Sequence, residues 1–314
     1  MEAHAKDLHL IDTHYVRHEQ AGAWLLEHEG RAAFVECNTS LATPRLLAAL
    51  AARGLTPEAV DWVFVTHVHL DHAGGAGALL QQLPVAKLVV HPAGAKHMID
   101  PRALIAGATA VYGPDRMAAL YGEILPVPAE RVVASQDGQI LELAGRPLET
   151  LHTPGHAWHH MAIHDPHGQG VFTGDVFGLA YRALYTPSGP FLFPTTAPTQ
   201  LAPEAMLASI QRIVELEPRW IFLTHYGALA WEPRLAKDLH RFLGSWTTGA
   251  LQVVRDLPAG PLRLEAMEDL LRYTLRDHYR RLGGQADDAT FAAWTQLDVE
   301  INSQGLLYWA QKQP

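Results

Sequence analysis

A layered α/β fold with a helical C-terminal part is the architecture that this sequence predicts. Short apolar runs alternate with helical segments through most of the chain, separated by Gly and Pro, and strands interleaved with helices imply α/β layers. Beyond Gly227 the strand patterns stop and long helical stretches follow. A short internal echo, "VFVTHVH" at 63–69 and "IFLTHYG" at 221–227, suggests two halves that each deliver polar residues from a strand end to a shared cleft.

Taken in order, "GAWLLEHEGRAAFVEC" reads as a hairpin turning at Glu29-Gly30, and "PRLLAALAARGL" as a helix stopped by Gly54. The strand "DWVFVT" leads to a Gly/Ala-rich segment that opens a helix from about Ala73, followed by the strand "KLVVHP". Further strands are expected at "RPLETLH", "HMAIHD" and "GQGVFTGD". The helical stretches "PRLAKDLHRFLGSWTTGALQVVRDL", "RLEAMEDLLRYTLRDHYRRLGG" and "DDATFAAWTQLDVEINSQGLLYWAQ" complete the chain. The division expected is residues 1–230 as the α/β domain and 231–314 as a helical extension packed on it. Trp231, Trp246, Trp294 and Trp309 are read as packing residues, internal or at the interface of a homodimer.

The chain has 314 residues, enough for one large domain with an elaborated C-terminal part. Its net charge of −9 speaks against a general nucleic-acid partner, which needs a basic face. Cys37 is the single cysteine, so neither an intramolecular disulfide nor a thiolate metal cluster can form; it is read as a small buried residue. The N-terminus lacks a secretion-signal pattern, and no stretch approaches 18 uninterrupted apolar residues. The expectation is a soluble, cytoplasmic protein with a small-molecule partner, no nucleic acid and no membrane.

The chemistry concentrates in "WVFVTHVHLDHAGG", residues 62–75. His67 and His69 share one side of an extended strand end, because side chains alternate with period two; Asp71 and His72 follow where the chain turns into a helix. Imidazole and carboxylate are the usual ligands of zinc and other borderline cations, and a bound dication offsets the cost of gathering these groups.

This segment resembles the signature motif of the metallo-β-lactamase fold superfamily. The resemblance extends to "HTPGHAWHH", which supplies His156, to "FTGDVF", which supplies Asp175, and to "FLTHYG", which supplies His225. It implies the family's four-layer αβ/βα sandwich and two adjacent divalent metal ions, zinc first, with iron and manganese as alternatives. His67, His69 and His156 would hold one ion; Asp71, His72 and His225 would hold the other, with Asp175 bridging the pair. Where many relatives carry Asp-x-Gly after the second strand, this chain has "VECN", with Glu36 and Asn38 in those places.

The activity implied is that of a glyoxalase II-like metal-dependent hydrolase, in which a hydroxide shared by two metals cleaves a thioester, ester or lactone. Asp71 would also orient that hydroxide. A mononuclear-iron oxidoreductase similar to persulfide dioxygenases keeps much the same ligand string and is the alternative, with a phosphodiesterase of the same fold behind it. Around the metals, His152, His159 and His160 are read as supporting or substrate-facing; His91 ends a strand pointing towards the same edge and is read as structural, and His14, His18 and His28 carry no spacing argument and are read as surface residues. The stretches 110–128 and 177–198 are expected to shape the pocket, with Tyr181, Arg182, Tyr185, Phe191 and Phe193 contacting an organic substrate.

Overall fold

In the strand β3 (Gly22–His28), Ala23 and Leu25 face one way while Trp24 and Leu26 face the other, and all of them are buried. That pattern requires cover on both faces of the sheet. The computed structural model describes residues 2–196 and 199–313; the last two residues of the 177–198 stretch and the side chains of residues 110–112 lie outside that description. The chain forms two units: one runs to His152 and includes 159–174 and 218–228; the other comprises 153–158, 175–217 and 229 onward.

The first unit holds two sheets. In the first, β1 (Glu2–Ala5), β2 (Leu8–Asp12), β3, β4 (Arg31–Val35), β5 (Val60–Phe64), β6 (Lys87–Val90) and β7 (Val132–Ala134) lie in sequence order. It is antiparallel up to β4 and parallel from β4 to β7. In the second, β8 (Gln139–Leu143), β9 (Arg146–His152), β10 (Met161–Asp165) and β11 (Gly170–Gly174) form an antiparallel meander. Next to β11 runs β12 (Trp220–Leu223), parallel to it, with β13 (Gly227–Ala230) at the edge. The expected hairpin turns at Glu29-Gly30, both with positive φ (46° and 75°), as a two-residue turn matched to the strand twist requires.

Alternate residues sort the core into two layers. Leu25, Phe34, Val63 and Val90 meet the apolar faces of α1 (Thr43–Ala52), α2 (Leu70–Ala73), α3 (Ala76–Gln82) and α4 (Pro92–Ile99). Trp24, Val35, Phe64 and Val89 meet Leu148, Ile163, Phe172 and Phe222 of the second sheet. Each such side chain contributes roughly 1.5–3 kcal/mol by leaving water. The helix expected from Ala73 is divided: α2 ends before Gly74-Gly75, and α3 begins after it. A Cβ on Gly75 would stand 2.5 Å from the Thr39 carbonyl oxygen, so the close approach of another backbone sets the break. Two further helices, α5 (Arg102–Tyr112) and α6 (Pro114–Tyr121), fill the stretch before β7.

The second unit contains α7 (Pro203–Glu215), α8 (Pro233–Asp256), α9 (Pro261–Arg281) and α10 (Asp288–Ala310). Leu235, Leu239, Phe242 and Trp246 recur at helical spacing and are buried, which gives α8 one apolar face. The loop from 175 bonds to α10: Thr196 donates its N–H to Asn302 Oδ1 (2.6 Å), and the Tyr181 hydroxyl reaches Asp298 (3.3 Å). No helix among the described residues is long and apolar enough to cross a membrane.

Candidate metal centre

Strand β5 ends at Phe64, and the chain runs on through Thr66 and His67 to His69, which has extended backbone and precedes the first turn of α2. That turn carries Asp71 and His72. The strand end of β12 delivers Thr224 and His225 in the same way. The donor atoms Asp71 Oδ2, His72 Nε2 and His225 Nε2 form a triangle with edges of 3.8, 3.5 and 3.3 Å. Ligands about 2.0–2.1 Å from a tetrahedral cation stand roughly 3.3–3.4 Å from one another, so these residues fit one divalent ion. His67 and His69 lie alongside, with His67 Nε2 2.8 Å from His69 Nδ1 and the His67 and His72 rings 4.0 Å apart.

The rings are fixed from behind. His72 donates its Nδ1–H to Glu36 Oε1 (2.9 Å), and His225 donates its Nδ1–H to the Gln20 carbonyl (2.7 Å). Both tautomers therefore present an Nε2 lone pair to the triangle. Glu36 is completely buried and also accepts from the Thr66 hydroxyl (2.5 Å), the Thr66 N–H (3.3 Å) and the Thr224 hydroxyl (3.3 Å). Asn38 donates its side-chain amide to the Asp71 carbonyl (2.7 Å). Glu36 and Asn38 both have positive φ, 67° and 56°. The "VECN" segment thus supports the metal loop with its own carboxylate and amide. The internal echo acquires a physical meaning as well, because its two Thr-His pairs place both threonine hydroxyls on Glu36.

Neither Glu36 nor Gln20 is evident from the motif; for Glu36 the only signal is its place where relatives carry aspartate. Cys37 is buried, as expected, and burial, with the Glu36 charge adding to it, pushes its thiol well up, so it stays protonated. His160 is fully buried and stacks on His67 (5.1 Å, 28°), while His159 lies parallel to the same ring at 6.2 Å. His152 turns to the Ser135 carbonyl (2.9 Å) and packs on His91 (4.0 Å). His14 and His18 are exposed and face Asp12.

In the second unit His156 and Asp175 come together, His156 Nε2 standing 3.5 Å from Asp175 Oδ2. The His156 Nδ1–H donates to the Thr195 carbonyl (3.2 Å), which again leaves the Nε2 lone pair on the side of Asp175. Gly155 of the T-P-G-H segment has φ +134°, and a Cβ there would lie 2.3 Å from the Met206 backbone, so only glycine lets α7 come this close. Tyr181 and Phe191 are buried within this unit; Tyr181 packs on Trp294 (5.2 Å) and Phe191 on Tyr279 (5.2 Å) and Phe193 (5.4 Å). Tyr185 is exposed and Arg182 half-buried.

A paired set of imidazole and carboxylate donors at strand ends, in this order along the chain, can be set against known proteins. The family model of the metallo-β-lactamase superfamily matches residues 17–225. The chain belongs to this superfamily. Its members typically bind divalent metal ions, and the His/Asp clusters described above are of the kind that does so.

Among relatives, the metallo-β-lactamase fold-containing protein ST1585 of Sulfurisphaera tokodaii is 26% identical over 57% of this chain and 64% of its own length. A hydroxyacylglutathione hydrolase of Aeromonas hydrophila is 29% identical over 66% of this chain, which spans 61% of that protein. The chain therefore covers less than two thirds of both. A hydroxyacylglutathione hydrolase of Aeromonas salmonicida is 30% identical over 90% of this chain and 85% of its own. In three dimensions, the metallo-β-lactamase family protein TTHA1429 of Thermus thermophilus superposes with a TM-score of 0.68 at 20% identity, over 99% of this chain and 95% of that one. The crystal structure of ST1585 gives 0.61 at 23% identity, over 88% and 98%. Both share the superfamily's fold.

Proposed function

We propose that this protein is a two-metal hydrolase of small acyl thioesters, with esters and lactones as related substrates. The observation that carries the reading is the Asp71–His72–His225 triangle, with edges of 3.3–3.8 Å close to those of a tetrahedral site and its imidazoles held in the metal-binding tautomer. The 30% identity to a hydroxyacylglutathione hydrolase over most of both chains supports the choice of thioesters. In this reading His67, His69, Asp71, His72, His156, Asp175 and His225 would be the metal ligands. Zinc suits such a set of ligands best, with iron and manganese as substitutes.

When bound, the pair of ions supplies an activated water and a Lewis acid for the acyl carbonyl. The chain's own residues then have distinct tasks. Asp71, whose side chain is a quarter exposed, orients the attacking water through its carboxylate. Glu36, Gln20 and Thr195 fix the tautomer and the aim of the ligand imidazoles by accepting hydrogen bonds from their Nδ1–H groups. Cys37 has no part as a nucleophile, because its buried thiol stays protonated.

Elemental analysis of protein purified without chelator, together with thiol release from acyl thioesters, tests the proposal. About two equivalents of metal per chain and hydrolysis are expected. Asp175→Ala should lose at least one equivalent and nearly all turnover; an Asp175→Ala protein with full activity overturns the assignment.

A further inference from the structure

Leu70 sits between two proposed ligands, His69 and Asp71, yet its side chain leaves the core that takes its neighbour Val68. It packs instead with Met117 and Tyr121 of α6, a cluster bordered by the half-buried Tyr15, Leu104 and Leu120. The α5–α6 hairpin is tied to the metal-bearing loops at three places. Leu70 packs on it directly. The Tyr15 and Tyr121 hydroxyls meet at 3.2 Å, and Tyr15 lies on the loop whose Gln20 carbonyl holds His225. Ser40 donates its hydroxyl to the Tyr121 carbonyl (3.0 Å), two residues after the Asn38 that holds Asp71. The hairpin is therefore built against the backbone that carries the Asp71–His72–His225 triangle, and what it brings there is aliphatic and aromatic.

We propose that this hairpin, through Leu104, Met117 and Leu120 with Tyr15, is the acyl-selecting wall of the enzyme, and that the substrates preferred are thioesters of apolar acyl groups several carbons long. This rests on the thioester reading above. The half-buried side chains of Tyr15, Leu104 and Leu120 leave apolar surface in water around the cluster that takes Leu70, the residue between His69 and Asp71. An acyl chain whose carbonyl lies at the metals and whose tail runs along this wall removes that surface from water, a gain that grows with tail length. An acetyl group is too short to collect it.

The test compares kcat/KM for hexanoyl and acetyl thioesters of one thiol, in the unaltered chain and in Leu104→Ala/Leu120→Ala, with metal content measured in each. Both positions are half-buried, so truncation costs less than at a core leucine, and the metal content reports whether the site survives. The hexanoyl-to-acetyl ratio should fall about tenfold, with the acetyl rate and the metal unchanged. A ratio that stays constant, or both rates falling together, overturns the inference and makes the cluster packing alone. Product inhibition of the unaltered chain reads the same wall without substitution: hexanoate should inhibit about tenfold more tightly than acetate, and equal inhibition overturns it. An unaltered chain that holds its metals but cleaves neither thioester refutes the functional reading itself, and this inference with it, an outcome distinct from an unchanged ratio.

Discussion

Glu36 is a fully buried carboxylate on strained backbone, and its cost is justified only by what it holds. A non-glycine residue in the left-handed region costs roughly 1–2 kcal/mol, and an unpaired buried charge costs more. Here the carboxylate is met by Thr66 after β5, His72 on α2 and Thr224 after β12. Glu36→Gln keeps the shape and an acceptor oxygen but removes the charge that makes the His72 imidazole a better ligand. Metal affinity at the Asp71–His72–His225 triangle should fall about 10–100-fold, read by competition with a chromophoric chelator. An unchanged affinity would show that Glu36 only ties the strands together. The candidate ligands are legible in the sequence, because H-x-H-x-D-H at a strand end has a spacing that chemistry explains. Glu36 was visible there only as a departure from Asp-x-Gly, because its partners lie at positions 66, 72 and 224 and meet only in the folded chain.

At the scale of elements, the strands at 146–152 and 161–165 and the long C-terminal helices stand where periodicity and Gly/Pro punctuation put them. Helix α2 and α3 separate for a reason periodicity cannot show, the nearness of the Thr39 backbone to Gly75. Helix α4 adds a contact of the same kind: His91 caps it, its Nδ1 accepting the Ala93 N–H (3.1 Å). Burial and then the nearby His152 hold the His91 imidazole down at about 4, from an ordinary 6.5, against an opposing pull from Asp137. Between these values the unfolded chain takes up a proton that the folded chain refuses. The stabilisation is therefore complete above about pH 6.5 and is lost as pH falls towards about 4. Protonation would also remove the capping acceptor. His91→Asn, which keeps a capping oxygen and does not titrate, should flatten that part of the stability profile. Urea midpoints of metal-free protein near neutral pH and near pH 5 measure it; a slope identical to that of the unaltered chain would refute it.

For the whole molecule, the gathering of His67, His69, Asp71, His72 and His225 in the first unit has a thermodynamic consequence. Without a cation, four imidazoles and the Asp71 carboxylate are crowded together and partly withdrawn from water, and that arrangement weakens the folded state. A cation that binds the folded chain alone adds about 2.7 kcal/mol when its free concentration is 100 times its dissociation constant. For a unit of this size that corresponds to roughly 5–10 °C in the thermal midpoint. Because five of the seven proposed ligands belong to the first unit, the metal should act most on that unit's transition. If the helices of the second unit melt separately, their transition should respond less to what happens at this triangle. Chelator should thus lower the midpoint and added zinc should restore it, while a His225→Ala protein starts lower and recovers little on zinc addition. The experiment is differential scanning calorimetry of the intact chain in these states. A midpoint indifferent to chelator in protein shown to carry metal would mean that the donors are already paired well enough without it, and that the triangle's geometry reflects packing.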